Sequence, residues 1–350
     1  MPLQSSYRNN WQVVNPAAID RAFFFNVEDR APNGSLWTLN ARNQWTQLGA
    51  FLGKAPSNIL LSWEYWSQNI SQYSGIRIGA QLQHHSFGAF SNTGLYVPLT
   101  YRALLDRDKL HSLFIGISPG VQLLQIDQND LVFEQAGDPT ISLAQKKLLL
   151  NLASVGVFYT KKWRKESFKT FYAGISIPPG ISRDSLSGIS FANHIKTTPI
   201  YFLSGSFFKL RRNTYLEPSV FVRYLNRIRY TSFDDGKVPV SADVNLRIHW
   251  GDGSEKSHPA WVGLGWGTNK MVSTEVGFHL PGSPKIRLNL IGMWVLSGSL
   301  EQRSGVELTL NLLNFAKVSN NERAQNPMDR LRKKIRGGVN GKPRHAYPPH

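Results

Sequence analysis

The most constraining stretch of this chain is 239–250, which reads PVSADVNLRIHW. Val240, Ala242, Val244, Leu246, Ile248 and Trp250 share one parity; Ser241, Asp243, Asn245, Arg247 and His249 share the other. Successive side chains of a strand point to opposite faces, so the stretch predicts one apolar face and one strongly polar face. A soluble sheet can carry such a strand. A length near ten residues, a charged parity and a terminal Trp are what a strand crossing a membrane in a barrel needs.

The pattern recurs along the chain. Ile59, Leu61, Trp63 and Tyr65 alternate with Ser62 and Glu64; Ile76, Ile78, Ala80 and Leu82 alternate with Arg77, Gly79, Gln81 and Gln83. Val272, Thr274, Val276, Phe278 and Leu280 oppose Ser273, Glu275, Gly277 and His279, and Val306, Leu308, Leu310 and Leu312 oppose Glu307, Thr309 and Asn311. With 36–45, 92–103, 111–125, 147–160, 167–177, 198–210, 213–225, 259–267 and 285–296, this predicts about fourteen strands and almost no helix. The expected fold class is all-β, an antiparallel transmembrane barrel of the outer-membrane type. The expected organisation is an irregular N-terminal extension (1–33), the barrel (34–316) and a basic periplasmic tail (317–350).

Composition agrees with that class. The hydrophobic fraction is 41%, and no run approaches the roughly 18 apolar residues of a spanning helix. A barrel escapes that test because half of each strand is polar. There is no cysteine, which excludes disulfides, thiolate metal sites and cysteine nucleophiles. Aromatics make up 12% and suit interfacial belts, although an aromatic-rich soluble core has the same composition. Residues 1–14 show no apolar signal-peptide core, so an exported chain is expected to be a mature or truncated form.

The connections supply a further expectation. An even strand count puts both barrel ends on the periplasmic side, with odd connections outside and even ones inside. The fifth and seventh, 126–146 and 178–197, are long. The sixth, eighth and twelfth are short. The eleventh, Thr268-Asn269, is short on the outer side and departs from the rule. Net charge is +17. Part of it falls in predicted periplasmic turns, at Lys161, Lys162, Arg164, Lys165, Arg211 and Arg212, and part in the tail, at Arg330, Arg332, Lys333, Lys334 and Arg336. These are the expected partner-binding residues. Trp163 among them reads as an interface anchor, and nucleic acid is not an expected partner.

The polar parity carries both signs: Glu64, Arg77, Glu217, Arg223, Asp243, Arg247, Glu275, Arg287 and Glu307. Such residues can pair across a lumen, which suggests a plugged or narrow barrel. No catalytic constellation, metal site or cofactor motif stands out. His84-His85 is split between two faces by strand alternation, and nothing fixes Ser273 and His279 as a nucleophile and its base. The Gly251–Glu255 stretch GDGSE lacks the spacing of a calcium loop and reads as a turn.

Asn15-Pro16-Ala17-Ala18, then Arg42-Asn43-Gln44-Trp45, then Gly137-Asp138-Pro139 resemble, in order and spacing, the PorP/SprF family of type IX secretion outer-membrane proteins of Bacteroidetes. The resemblance spans about residues 5–316. A glycine common after the first motif is absent, Ile19-Asp20 standing there, and the tail is longer than the family pattern. The resemblance implies a non-enzymatic component of protein secretion and gliding motility. The implied partners are a periplasmic lipoprotein ring, and secreted cargo or adhesin carrying a C-terminal sorting domain. Outer-membrane lipid and a peptidoglycan-associated protein complete the expected set. The other readings of the sequence are a transporter or pore for small ligands, and a soluble basic β-protein that binds polyanions.

Overall fold

The computed structural model describes residues 10–19, 34–44, 56–71, 74–87, 90–106, 110–126, 147–163, 168–177, 182–184, 199–211, 214–225, 240–250, 260–268, 271–280, 285–295 and 305–315. The chain divides into two units, Met1–Phe315 and Ala316–His350, and every described residue lies in the first. None of the described helices is long and apolar enough to cross a membrane.

After a short helix α1 (Trp11–Val14) come β1 (Gly34–Gln44), β2 (Ser57–Ser71), β3 (Ser74–Phe87), β4 (Phe90–Tyr96), β5 (Leu99–Leu104) and β6 (His111–Ile126). Then follow β7 (Lys147–Lys162), β8 (Phe168–Ile177), β9 (Ser182–Asp184), β10 (Pro199–Arg211) and β11 (Thr214–Leu225). The last are β12 (Val240–Trp250), β13 (Ala260–Gly267), β14 (Met271–Leu280), β15 (Lys285–Val295) and β16 (Gly305–Phe315). Every pairing is antiparallel, and the ring closes where β1 meets β16, Gly34 opposite Phe315.

The segments make fourteen barrel strands, as expected. β4 and β5 are one strand interrupted at Val97-Pro98, because both halves pair with β3 and β6. Pro98 has no N–H to give the ladder, but its carbonyl accepts the Gly79 N–H at 2.9 Å, and the Val97 N–H reaches the Pro119 carbonyl at 2.9 Å. β9 continues β8 and pairs with β7 at Leu149–Asn151, so part of the expected seventh loop is strand. The remainder of that connection and the whole of 127–146 lie outside the described residues.

Register fixes which parity faces in. In β12 Val244 and Leu246 stand 53% and 44% exposed on the outer wall, while Asp243, Asn245, Arg247 and His249 are buried. A one-residue slip would put every charge into lipid, so the alternation specifies the register strongly. The outer wall is apolar on every long strand, with aromatics toward the strand ends. Trp37, Tyr65, Tyr101, Trp250 and Phe278 lie toward the end that carries both barrel termini, and Phe202, Trp266 and Trp294 toward the other. Two aromatic girdles around an apolar band are the outer surface a lipid bilayer demands.

Candidate functional site

The lumen is the environment in which so many charged groups can sit on membrane strands, and Arg77, Arg223 and Arg247 each pair there with a carboxylate. Arg247 donates from Nε to Glu275 Oε2 at 2.7 Å and from Nη2 to Oε1 of the same carboxylate. Its Nη1 stands 4.0 Å from Glu217 Oε2. Glu217 is also held by the Tyr172 hydroxyl, which donates to Oε1 at 2.9 Å, and by His249 Nε2 at 2.9 Å from Oε2. The Trp261 indole N–H donates to Glu275 Oε1 at 3.0 Å. Further round the wall Arg223 pairs with Asp243 at 2.6 Å, and the Asn40 amide donates to Glu307 at 2.6 Å. A buried charge without such partners costs several kcal/mol, so the lumen is a polar core built strand against strand. All nine residues expected to face the lumen are buried.

Within the expected N-terminal extension, residues 10–19 lie inside the barrel. Asn15 makes the entry possible. Its Oδ1 accepts the Ala17 N–H at 2.9 Å, closing an Asx turn over Pro16, and its Nδ2 donates to the carbonyls of Val157 and Ile175 at 3.1 and 3.3 Å. The wall beneath carries Gly116, Gly156 and Gly174. A Cβ on Gly116 would stand 2.5 Å from the Ala17 nitrogen and the Pro16 carbonyl carbon, and one on Gly156 2.0 Å from Asn15 Oδ1. Only glycine lets the segment approach so closely.

Beside this cradle on the same wall, in the cross-strand row Arg77–Thr100–Gly116–Gly156, Arg77 grips the segment's backbone. It donates to the Ala18 carbonyl at 2.6 Å and to the Pro16 carbonyl, which the Thr100 hydroxyl also reaches at 2.7 Å. Glu64 balances the guanidinium at 3.1 Å, with both side chains fully buried. Ser176 donates to the Val14 carbonyl at 2.6 Å. Trp11 closes the apolar side against Tyr172 and Phe158, with ring centroids 4.6 and 5.8 Å away. The Asn-Pro-Ala motif is therefore the clip by which an N-terminal segment occupies the lumen.

The basic residues expected in turns are placed differently where they are described. Lys161 and Lys162 end β7 and Arg211 ends β10; they are strand residues rather than turn residues. The ladder continues through them because the Lys162 N–H still reaches the Leu110 carbonyl at 2.8 Å. Lys161 lies over the Trp163 ring at 5.1 Å, a cation held at an aromatic anchor. All three sit at the end that carries the barrel termini. Arg164, Lys165, Arg212, Arg330, Arg332, Lys333, Lys334 and Arg336 lie outside the described residues.

The same end holds a capped turn that sequence reasoning missed. Asp106 accepts the His111 N–H at 2.8 Å and the Leu110 N–H at 3.0 Å. Partial burial pushes its carboxyl up, but those two donors and the nearby His111 ring outweigh it and hold it below the usual range. The signal was present: an Asp four and five residues before the N–H groups it caps.

Ser273 and His279 do not meet. They are six residues apart on β14, about 20 Å at a strand's ~3.4 Å rise. Among the described residues no cluster of His, Asp and Glu has the arrangement of a metal site.

Comparison with known proteins agrees with this architecture. A TodX deltaS2S3 mutant, a monoaromatic hydrocarbon channel, superposes with a TM-score of 0.54 at 9% identity, covering 88% of this chain and 94% of that one. A FadL homologue of Pseudomonas aeruginosa aligns over 90% of this chain and 95% of its own at 9% identity, with a TM-score of 0.48. At such identity the TodX likeness speaks to the fold alone, and the FadL score is too low to add to it. No curated protein matches the chain. The family model described as Type IX secretion system membrane protein PorP/SprF matches residues 1–311. The match spans the N-terminal clip, the charged lumen and nearly all of the closed barrel, so the chain is an outer-membrane protein and belongs to the PorP/SprF family of type IX secretion.

Proposed function

We propose that this barrel is a non-enzymatic scaffold of the type IX machinery. It engages or anchors secreted cargo carrying a C-terminal sorting domain at one end and links to the periplasmic lipoprotein ring at the other. Family membership over residues 1–311 carries this reading. The end bearing both barrel termini faces the periplasm, and its cations Lys161, Lys162 and Arg211 form the ring contact, to which the basic residues of the tail add. A small-ligand pore is the lesser reading, because side chains and residues 10–19 fill the interior where a substrate would pass.

Deleting 318–350 and measuring co-purification of the ring with the detergent-solubilised barrel tests the periplasmic half. Ring recovery should fall strongly. Recovery equal to that of the full chain would remove the tail from the contact.

A further inference from the structure

Three lumenal arginines, Arg77, Arg223 and Arg247, each hold a carboxylate. Arg42 does not. It is 5% exposed, lies on the inward parity of β1 between buried Asn40 and the rim, and makes no ion pair among the described residues. Its Nε and Nη2 are buried without a hydrogen-bond partner. Those two atoms form one edge of the guanidinium, the edge whose parallel N–H groups match both oxygens of a carboxylate.

The neighbours continue the pattern. Register places Arg42 beside Asn58, Asn58 beside His85, and His85 beside Asn92. Directly paired residues of antiparallel strands keep their Cβ atoms about 5 Å apart on one face, so these four form a continuous inward row. Asn58 Oδ1, His85 Nδ1 and Asn92 Oδ1 are also buried and unpartnered. Open polar atoms also occur singly elsewhere in the lumen, at Gln12, Asn289 and Asn311 for example, but here four directly paired residues carry them, a continuous row that a polar ligand or water can satisfy. Glu307, which flanks Arg42 on β16, takes the Asn40 amide on its Oε1. The row lies one or two residues inside the rim remote from the termini, where β1 and β3 end and β2 and β4 begin.

We propose that this row is a carboxylate-binding site, with the Nε/Nη2 edge of Arg42 taking both oxygens and Asn58, His85 and Asn92 binding the polar group next to it. The carboxylate comes either from the chain end of a peptide entering the mouth or from a free small dicarboxylate. The site does not rest on the secretion role proposed above.

Isothermal titration of the full-length, detergent-solubilised protein tests it with three probes: an acetylated glycine–alanine tripeptide with a free C-terminal carboxylate, the same tripeptide amidated, and succinate. The free acid should bind at least about tenfold more tightly than the amide, and Arg42→Lys, which keeps the charge but loses the fork, should weaken it by a similar factor. Succinate binding more tightly than the tripeptide supports the site and assigns it to a small dicarboxylate. Equal affinity for acid and amide, or no binding of any probe, would overturn the proposal and leave the row to ordered water. So would unchanged binding by Arg42→Lys. The acid–amide comparison uses the wild-type chain alone, so it stands even if a variant fails to fold.

Discussion

Replacing Arg77 with methionine should release the N-terminal segment from the lumen. Arg77 gives two charge-assisted hydrogen bonds to that segment, at the Pro16 and Ala18 carbonyls. At roughly 1.5–3 kcal/mol each, their loss weakens docking by about 3–6 kcal/mol, on the order of 100-fold to 10,000-fold. The Thr100 hydroxyl, Ser176 and the Asn15 clip remain and set the residual affinity. The same change strands Glu64, fully buried beside it, at a further cost of about 3–5 kcal/mol to the barrel. The two effects separate in the double variant Arg77→Met/Glu64→Gln. It removes the stranded charge and recovers barrel stability, but not docking. The chain has no cysteine and Ala18 is fully buried, so Ala18→Cys provides a unique reporter. Labelling by a water-soluble thiol reagent should be slow in the parent and at least about 100-fold faster with Arg77→Met, in line with the lower docking estimate. Equal labelling rates in the two would show that Arg77 does not hold the segment, and the account of the clip would fail.

Other outcomes follow from the wall and the turns. Arg247→Met leaves Glu275 buried without its bidentate partner and should cost about 3–5 kcal/mol in urea-titrated folding into vesicles, more than Arg247→Met/Glu275→Gln. Leu246→Arg puts a charge on the outward parity of β12 and should cost about 2–4 kcal/mol in the same assay if Leu246 lies near the bilayer midplane. Asp106 titrates lower in the folded turn than in the unfolded chain. Its contribution is therefore present above the ordinary carboxylate pKa and lost as pH falls through the lower, folded value. Urea midpoints of the wild type should drop over that acid window relative to Asp106→Asn, and parallel pH profiles would contradict the cap.

Much of the barrel was legible because the information is local. Asp243, Arg247 and His249 declare their face by parity with Val244 and Leu246, two residues at a time, and the lumen charges follow from the same rule. The clip was not legible. Asn15 binds carbonyls 142 and 160 residues away, Arg77 reaches back to Pro16 and Ala18, and the glycines that make room for them lie on three different strands. No period within residues 10–19 encodes partners that only ring closure brings together. The misplacement of Lys161, Lys162 and Arg211 has a simpler cause. Charged residues near a turn read as turn, although the backbone ladder runs to the last of them. Ser182–Asp184 reads as loop in the sequence because three residues show no alternation of their own.

Depleting the protein in its own cells and quantifying surface display of a reporter fused to a C-terminal sorting domain tests whether this barrel serves protein secretion. Display should fall on depletion and return with the wild-type chain. Unchanged display, accompanied by lost uptake of a small hydrophobic solute, would contradict the claim and return the barrel to the role of a pore.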